Sequence, residues 1–295
     1  MRVIVIGGTR FSGPHIVRRF LERGDDVVVV HRGTNCSDTS HVHCDRRELP
    51  RDLHGHLVID MCCMNEGDAR AAAEHFWHER YVVISSGDVY RNYDGLQRHY
   101  DGPPDPTPLA ENAPLRAELY PYRQKAAQLG EWVRDYDKIL VERALASERT
   151  TIVRYPAVYG PHDEQRRFAD WIALIDRGEP VPMTPQRAAW RWTHGYVENM
   201  ADTVVLAATS DRAAGRTYNA GDEDAPTQAE WVQLLGGRVE IRGDAPEPRL
   251  NWDFHLHTDT SRIREELGYR ERVPRAEALA RLWSAVAQPP LSNTR

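Results

Sequence analysis

A glycine-rich turn between a strand and a helix constrains the fold more than any other feature of the chain. The stretch VIVIGGTRFSGPHIV, residues 3–17, begins with apolar residues, passes through Gly7, Gly8 and Gly13, and continues into a helical pattern. Such a turn directs free backbone N–H groups and the positive end of a helix dipole at a phosphate. Arg10 stands midway between Gly7 and Gly13, where a third small residue is usual. We interpret Arg10 as a phosphate ligand; the alternative is that it points to solvent.

Strand-like runs alternate with helical patterns after this turn. Because the strands are apolar throughout, we expect both faces of their sheet to be covered. The alternation predicts an α/β fold with a Rossmann-like, doubly wound parallel sheet. The predicted strands are 3–6, 27–30, 57–60, 81–85 and 151–154, and the predicted helices are 14–23, 69–77, 136–146, 168–176, 198–209, 228–235, 260–267 and 275–286.

A chain of 295 residues can form a nucleotide-binding domain with a smaller partner. We expect a dinucleotide-binding domain over residues 1–160, to which the chain returns at about 190–222, and a smaller C-terminal substrate-binding region over 161–295. Segment 91–123 is rich in Pro, Asp and Tyr and is too long for an ordinary connection. We interpret this segment as a loop on the substrate side.

The net charge of −6 argues against a nucleic-acid partner, so a small-molecule substrate is expected. No apolar stretch approaches the roughly 18 residues that span a bilayer. The apolar run that starts at residue 3 leaves no room for a signal peptide, and the four cysteines, among them the adjacent Cys62 and Cys63, do not form a disulfide framework. We therefore expect a cytoplasmic protein without a membrane partner.

The residues after the second strand indicate which dinucleotide is bound. NAD-binding units usually place a carboxylate there for the ribose, but this chain reads Val30-His31-Arg32-Gly33. Arg32, with Arg10, suits a ribose 2′-phosphate, which favours NADP(H) over NAD(H). The alternative is that Arg32 only caps the strand end. Asp45 and Arg46 are candidates for the adenine edge.

Four motifs, in order, resemble those of one family. GGTRFSG, YVVISSGDVY, RYPAVYGPHD and DTSRIREELGY are similar to motifs of the extended or atypical short-chain dehydrogenase/reductase superfamily, in its NAD-dependent epimerase/dehydratase family. The resemblance covers most of the chain and implies a homodimer as one possible assembly. The cofactor-binding residues that turn, strand ends and resemblance together suggest are Gly7, Thr9, Arg10, Phe11, Ser12, Gly13, Arg32, Asp45, Arg46, Ser85, Lys138 and Pro156.

The resemblance also implies a Ser, Tyr and Lys that orient a substrate hydroxyl, pass its proton and hold the nicotinamide ribose. Ser86 matches the serine. The lysine is Lys125 or Lys138, because the chain has only these two beside 36 arginines. We prefer Lys138, which leaves about one helix length before the next strand.

The usual Tyr-x-x-x-Lys spacing is absent from this sequence. Arg134 stands four residues before Lys138, and the nearest tyrosine there, Tyr136, stands two before it. Tyr122, three residues before Lys125, is the other candidate for the proton shuttle. Both tyrosines remain open at this point.

Three other groups of residues bear on the chemistry. Asp88, in the turn after Ser86, is a candidate base toward a carbon next to a transient ketone; the alternative is a turn aspartate that accepts backbone N–H bonds. Arg191, Trp192 and His194 are candidates for substrate binding, with packing between domains as the alternative. No metal is expected, because the spacings of His41, His43, Cys44, Cys62 and Cys63 match no standard zinc pattern.

The function predicted from the sequence is an NAD(P)-dependent enzyme that oxidises or reduces a hydroxyl or keto carbon of a sugar or nucleotide-sugar, as an epimerase, dehydratase or reductase. The altered tyrosine–lysine spacing leaves one alternative. A catalytically degenerate dinucleotide-binding scaffold, or an RNA-binding protein on the same fold, would also fit the motifs.

Overall fold

A parallel seven-stranded sheet forms the centre of the molecule, whose computed structural model describes residues 1–33 and 39–286. The described strands are β1 (Arg2–Ile6), β2 (Asp26–His31), β3 (Ser40–His43), β4 (Leu57–Asp60), β5 (Arg80–Ser86), β6 (Thr150–Tyr155), β7 (Ala157–Tyr159), β8 (Val181–Met183), β9 (His194–Tyr196), β10 (Thr217–Asn219) and β11 (Val239–Ile241). The sheet order is β3-β2-β1-β4-β5-β6-β10, with every neighbouring pair parallel. The prediction of a doubly wound parallel sheet is confirmed.

Helices cover both faces of this sheet. The described α-helices are α1 (Gly13–Glu22), α2 (Glu66–His75), α3 (Arg91–Leu96), α4 (Ala126–Leu129), α5 (Lys138–Leu145), α6 (Ala169–Asp176), α7 (Pro185–Ala189), α8 (Val197–Thr209), α9 (Gln228–Leu234), α10 (Ser261–Leu267) and α11 (Arg275–Val286). Along β1, Val3 and Val5 pack with α1 and α8 on one face. Ile4 and Ile6 pack with α2 and α5 on the other face. Successive residues of a strand point to opposite faces, so an all-apolar strand fills both cores.

The second half of the chain both forms two small sheets and completes the large one. β7 pairs with β9, and β8 pairs with β11, in two small parallel sheets. The chain then returns through α8, and β10 pairs with β6 at the edge of the large sheet.

The predicted elements agree with the structure where the sequence pattern is long. Helix α11 has the predicted bounds, and α9 opens with the capping box formed by Thr227 and Glu230. The pattern does not predict the three-residue strands or α3, which occupies the start of segment 91–123. The rest of that segment has little regular structure before residue 123 and is held by backbone hydrogen bonds between Leu109 and residues His257 and Asp259.

None of the helices in residues 1–33 and 39–286 is long and apolar enough to cross a membrane.

Candidate active site

The turn between β1 and α1 is packed so closely that its glycines have no room for side chains. Gly7 has a φ of +83°, in the left-handed region that favours glycine. A Cβ on Gly13 would lie 2.6 Å from the carbonyl carbon of Gly8, and one on Gly8 would lie 2.8 Å from Val5. A ten-residue helix begins directly after the turn. This close-packed backbone at a helix N-terminus fits the diphosphate of a dinucleotide.

The side chains of the turn differ in how they are held. Ser12 is buried just before α1, Thr9 is half-buried, and Phe11 has a φ of +47°. Arg10 donates to Glu164 Oε1 at 3.1 Å, and the two side chains are 70% and 69% exposed. An ion pair this exposed contributes little to stability, so Arg10 can turn toward a ligand.

The two arginines after β2 and β3 have different surroundings. Arg32 pairs with Asp45 at 3.1 Å, and its side chain is 77% exposed. Arg46 instead donates two hydrogen bonds to the fully buried Asp60, at 2.5 and 2.9 Å. The guanidinium of Arg46 is therefore occupied at the end of β4, which leaves Asp45 as the more available candidate for the adenine edge.

Lys138, the first residue of α5, lies at the carboxyl ends of β4 and β5. Its Nζ donates to the carbonyl of Cys63 at 2.7 Å and to that of Ile84 at 2.9 Å. Lys125 is held elsewhere, where it donates to Gln97 at 2.9 Å. Of the two lysines proposed from the sequence, Lys138 is the one beside the other candidate catalytic residues.

Both candidate tyrosines meet at Asp88. Tyr136 donates to Asp88 Oδ2 at 3.0 Å, and Tyr122 donates to the same oxygen at 3.1 Å. Tyr93, which the sequence analysis did not single out, donates to the Tyr122 hydroxyl at 2.8 Å. Ser86 Oγ accepts from the Asp88 backbone N–H at 3.3 Å. Ser86, Asp88, Tyr122 and Tyr136 thus form one polar cluster.

Burial controls the pKa values in this cluster. Burial raises the pKa of the Asp88 carboxyl, although Arg116 and the two phenol donors oppose the rise. Burial, and then the charge on Asp88, raise the pKa of Tyr136 well above its usual value, and the same causes act on Tyr122. Burial also lowers the pKa of Lys138. Phenolates are disfavoured here, and the carboxylate is a stronger base than an exposed aspartate.

Two buried ion pairs that the sequence analysis did not find support the cluster. Arg116 pairs with Asp137 at 2.8 Å, with neither side chain exposed, and its Nε donates to the Asp88 carbonyl at 3.0 Å. Glu142 pairs with Arg154 at 2.7 Å and accepts from Ser85 Oγ at 2.5 Å. Ser85 and Pro156 are both predicted to bind the cofactor. Ser85 is buried beside this ion pair, and Pro156, which follows β6, is half-buried.

The three residues predicted to bind substrate differ in their surroundings, although the rings of Trp192 and His194 lie 5.7 Å apart. The guanidinium of Arg191 donates to the carbonyl of Ala225 at 2.6 Å and not to Asp88. His194 is buried and stacks on Phe168 with ring centroids 5.3 Å apart, and burial lowers its pKa to about 3. Trp192 packs with Tyr122 against the same apolar cluster, so it is the one of the three with a link to the candidate catalytic residues.

The described part of the chain contains no group of three or more His, Cys, Asp or Glu that could hold a metal ion. Cys44, Cys62 and Cys63 form no disulfide, and Cys36 lies outside the described residues.

A model of the NAD dependent epimerase/dehydratase family matches residues 69–221, just over half of the chain. The chain belongs to this family. The matched region contains Ser86, Asp88, Tyr122, Tyr136 and Lys138, whereas the glycine turn precedes it. The family and the fold indicate an NAD-dependent enzyme.

Solved structures of similar fold cover nearly all of the chain. A UDP-glucose 4-epimerase from Stenotrophomonas maltophila with bound NAD and formylated UDP-arabinopyranose is 20% identical with a TM-score of 0.73, covering 97% of this chain and 98% of that one. The Thermotoga maritima UDP-glucose 4-epimerase with UDP-glucose is 18% identical with a TM-score of 0.70, covering 97% and 99%. An NAD-dependent NDP-hexosamine 5,6-dehydratase of tunicamycin biosynthesis is 17% identical with a TM-score of 0.70, covering 98% of each chain. These likenesses confirm the fold.

A relative in sequence is the uncharacterized protein y4nL of Sinorhizobium fredii, 32% identical over 107 residues. The match covers 34% of this chain and 29% of the length of that protein.

Proposed function

We propose that this chain is an NADP(H)-dependent enzyme that exchanges a hydride at a hydroxyl or keto carbon of a sugar or nucleotide-sugar. Reduction, epimerisation and dehydration share this step and differ in the fate of the ketone. The observation that carries the proposal is the grouping of Ser86, Tyr136 and Lys138 around Asp88 at the carboxyl ends of β4 and β5, in spite of the altered tyrosine–lysine spacing. In a doubly wound sheet, ligands bind at the carboxyl ends of the strands.

The chain's own residues have distinct parts in this proposal. The glycine turn would hold the cofactor diphosphate, and Lys138 the nicotinamide ribose; the bound nicotinamide would supply the hydride acceptor or donor. Ser86 would orient the substrate hydroxyl, and Tyr136 would exchange a proton with it. Tyr136 fits this part better than Tyr122, because Lys138 Nζ lies 5.8 Å from the centre of the Tyr136 ring, whereas the side chain of Lys125, three residues after Tyr122, donates to Gln97.

The preference for NADP(H) is supported by the positive charges of Arg32, which follows β2, and of Arg10 in the glycine turn. His31 stands where an NAD-binding carboxylate is usual, and among the described residues Arg32 and Arg10, both exposed, each form an ion pair at 3.1 Å. Charge-assisted hydrogen bonds from Arg to a phosphate are stronger than such surface pairs, so a 2′-phosphate would recruit both guanidinium groups.

A nucleotide-sugar substrate is supported by aromatic and cationic residues next to Tyr122. Trp192 and Tyr122 pack on the apolar cluster that includes Trp190 and Tyr93. The guanidinium of Arg167 lies 5.8 Å from the centre of the Trp192 ring, and its buried Nε has no hydrogen-bond partner among the described residues. The UDP-sugars bound in the two similar epimerases fit the same chemistry of ring and anion.

The test begins with separate titrations of the purified protein with NADPH and NADH. We expect NADPH to bind at least about tenfold more tightly, a difference of about 1.4 kcal/mol. UDP-glucose and other nucleotide-sugars are then offered with NADP⁺, and reduced nicotinamide is followed by absorbance. A preference for NADH contradicts the 2′-phosphate assignment and leaves hydride exchange to be tested with NAD⁺.

The two lysines supply a matched pair of variants. Lys138→Met should abolish turnover with an unchanged circular dichroism spectrum, whereas Lys125→Met should retain turnover, because the side chain of Lys125 donates to Gln97 and only its backbone touches Tyr122. Equal activity of the two variants would contradict the part proposed for Lys138. Failure of the wild type to bind either dinucleotide would contradict the proposed function.

A further inference from the structure

We infer that Asp88 takes up the proton of the substrate hydroxyl through Tyr136, and that Tyr122 adjusts the basicity of Asp88. The inference rests on the proposed function, since it assigns the proton of the same hydride exchange. Asp88 acts through Tyr136, so it is a positioning residue.

The hydrogen bonds of Asp88 are unevenly distributed over its two oxygens. Oδ2 accepts from Tyr136 at 3.0 Å and from Tyr122 at 3.1 Å. Oδ1 is buried and has no hydrogen-bond partner within residues 1–33 and 39–286. A carboxylate with bonds on both oxygens would be more strongly held in its charged form. The carboxylate of Asp88 is therefore ready to accept a proton.

The surroundings of Tyr136 disfavour a phenolate. A phenolate 3.0 Å from an ionised Asp88 would place two negative charges together in a buried site. Lys138 Nζ lies 5.8 Å from the centre of the Tyr136 ring and donates to two backbone carbonyls instead of the phenol. Tyr136 is thus placed to pass a proton on while remaining neutral.

The step is balanced without a further reactant. The O–H bond of the substrate breaks, and its proton goes to the Tyr136 oxygen as the Tyr136 proton goes to Asp88 Oδ2. The C–H electron pair leaves with its hydrogen as hydride to the oxidised nicotinamide dinucleotide, which is the oxidant. The substrate becomes a ketone, and Asp88 becomes a neutral acid. Reduction is the reverse.

The groups that face Asp88 fix the direction of its response to pH. Arg116 and Lys138 favour the charged form, as do the hydrogen bonds of Tyr122 and Tyr136. Burial opposes all four and is the largest effect. The charge of Asp88 also acts on Tyr93, next in the chain of phenols. Removal of the Tyr122 hydroxyl should therefore raise the pKa of Asp88.

Infrared spectroscopy tests the inference without turnover. Protonated Asp88 gives a carboxylic acid C=O band, identified by its loss in Asp88→Asn, and the band is followed against pH. We expect its midpoint to move upward by about one pH unit in Tyr122→Phe and also upward in Tyr136→Phe. Tyr218→Phe is the matched control, because Tyr218 donates to a different carboxylate, Glu266, at 2.8 Å. A midpoint unchanged in both Tyr122→Phe and Tyr136→Phe overturns the inference.

Turnover with UDP-glucose and NADP⁺ gives a second readout. In the wild type, the rate of oxidation should fall as pH drops through the Asp88 pKa, and this fall should begin about one unit higher in Tyr122→Phe. In Asp88→Asn, the rate should no longer fall as pH drops through this range. The rate itself should be at least about 100-fold lower than in the wild type. An Asp88→Asn profile like that of the wild type overturns the inference. If the wild type exchanges a hydride with no sugar or nucleotide-sugar, the proposed function fails, and the infrared titration still decides whether the phenols control Asp88.

Discussion

At the scale of single residues, burial separates arginines that shape the protein from arginines that can meet a ligand. Arg46 is held against Asp60, where neither side chain has much contact with solvent. The side chains of Arg10 and Arg32 are themselves exposed. The energy that holds them is small, so a phosphate can compete for both.

We predict that Arg32→Ala and Arg10→Ala each weaken NADPH binding by about tenfold and leave NADH binding nearly unchanged. The reason is that only NADPH carries the 2′-phosphate. The measurement is a pair of calorimetric titrations for each variant. Arg70→Ala is the control, since Arg70 is equally exposed, at 71%, and pairs only with Glu66 of its own helix. Equal losses for both dinucleotides would contradict the assignment.

His194 shows how one buried imidazole affects stability. It is enclosed by aromatic rings, with the Trp231 centroid 4.7 Å away, and its pKa is lowered to about 3 by burial. Since an unfolded histidine titrates near 6.5, the unfolded state binds more protons between these values. Stability from His194 is therefore complete above about pH 6.5 and is lost as pH falls toward 3.

The free energy of unfolding of the wild type should fall between pH 7.5 and pH 5. We predict that this fall is about 1–2 kcal/mol smaller in His194→Phe. Urea unfolding at the two pH values measures the change. His54→Phe is the control, because His54 is more than half exposed. If the free energy of unfolding of His194→Phe falls between the two pH values as much as that of the wild type, groups other than His194 cause the fall.

At the scale of elements, the start of α5 decides where the candidate catalytic residues lie. Asp137 accepts from the backbone N–H groups of Ile139 and Leu140 and caps the helix, so the helix begins at Lys138 and not at 136 as predicted. Tyr136 precedes the cap and is not helical, which lets it face Asp88 although it stands only two residues before Lys138. The cap thus compensates for the absent tyrosine–lysine spacing.

We predict that Asp137→Asn destabilises the protein by about 3 kcal/mol, because the buried Arg116 loses its charged partner. The helix cap itself is kept, since Asn is also a good N-cap residue. Turnover should fall as well, since Arg116 also holds the Asp88 backbone. Thermal unfolding and turnover are the measurements. For comparison, Thr227→Ala removes the cap of α9 and should cost about 1 kcal/mol without affecting turnover.

At the scale of the whole molecule, the sheet depends on both halves of the chain. β10 pairs with β6, and α8 packs against α1 and the sheet through Met200 and Val204, both fully buried. Trp231 of α9 belongs to the same core. Because both halves of the chain share this core, we expect one unfolding transition.

We predict that far-UV circular dichroism and tryptophan fluorescence give the same midpoint in urea. Most tryptophans lie after residue 160, so fluorescence reports mainly on the second half, whereas circular dichroism reports on the whole chain. Two separated midpoints would mean that the halves unfold independently.

Local patterns in the sequence determined the alternation of strands and helices, the parallel sheet and the position of the glycine turn. They did so because apolar β-branched runs and helical periodicity act over a few residues at a time. The short strands and α3 did not follow from such patterns, since their stability comes from packing with distant segments.

Only the tertiary structure brought Tyr122 and Tyr136 to the same oxygen of Asp88, across 34 and 48 residues of sequence. It likewise placed Arg46 on Asp60 and enclosed His194 among aromatic rings. These contacts depend on which strand ends meet at one edge of the sheet and on how each side chain is buried. Burial and distance then set the charge of Asp88 and the availability of each arginine, and neither quantity can be read from spacing along the chain.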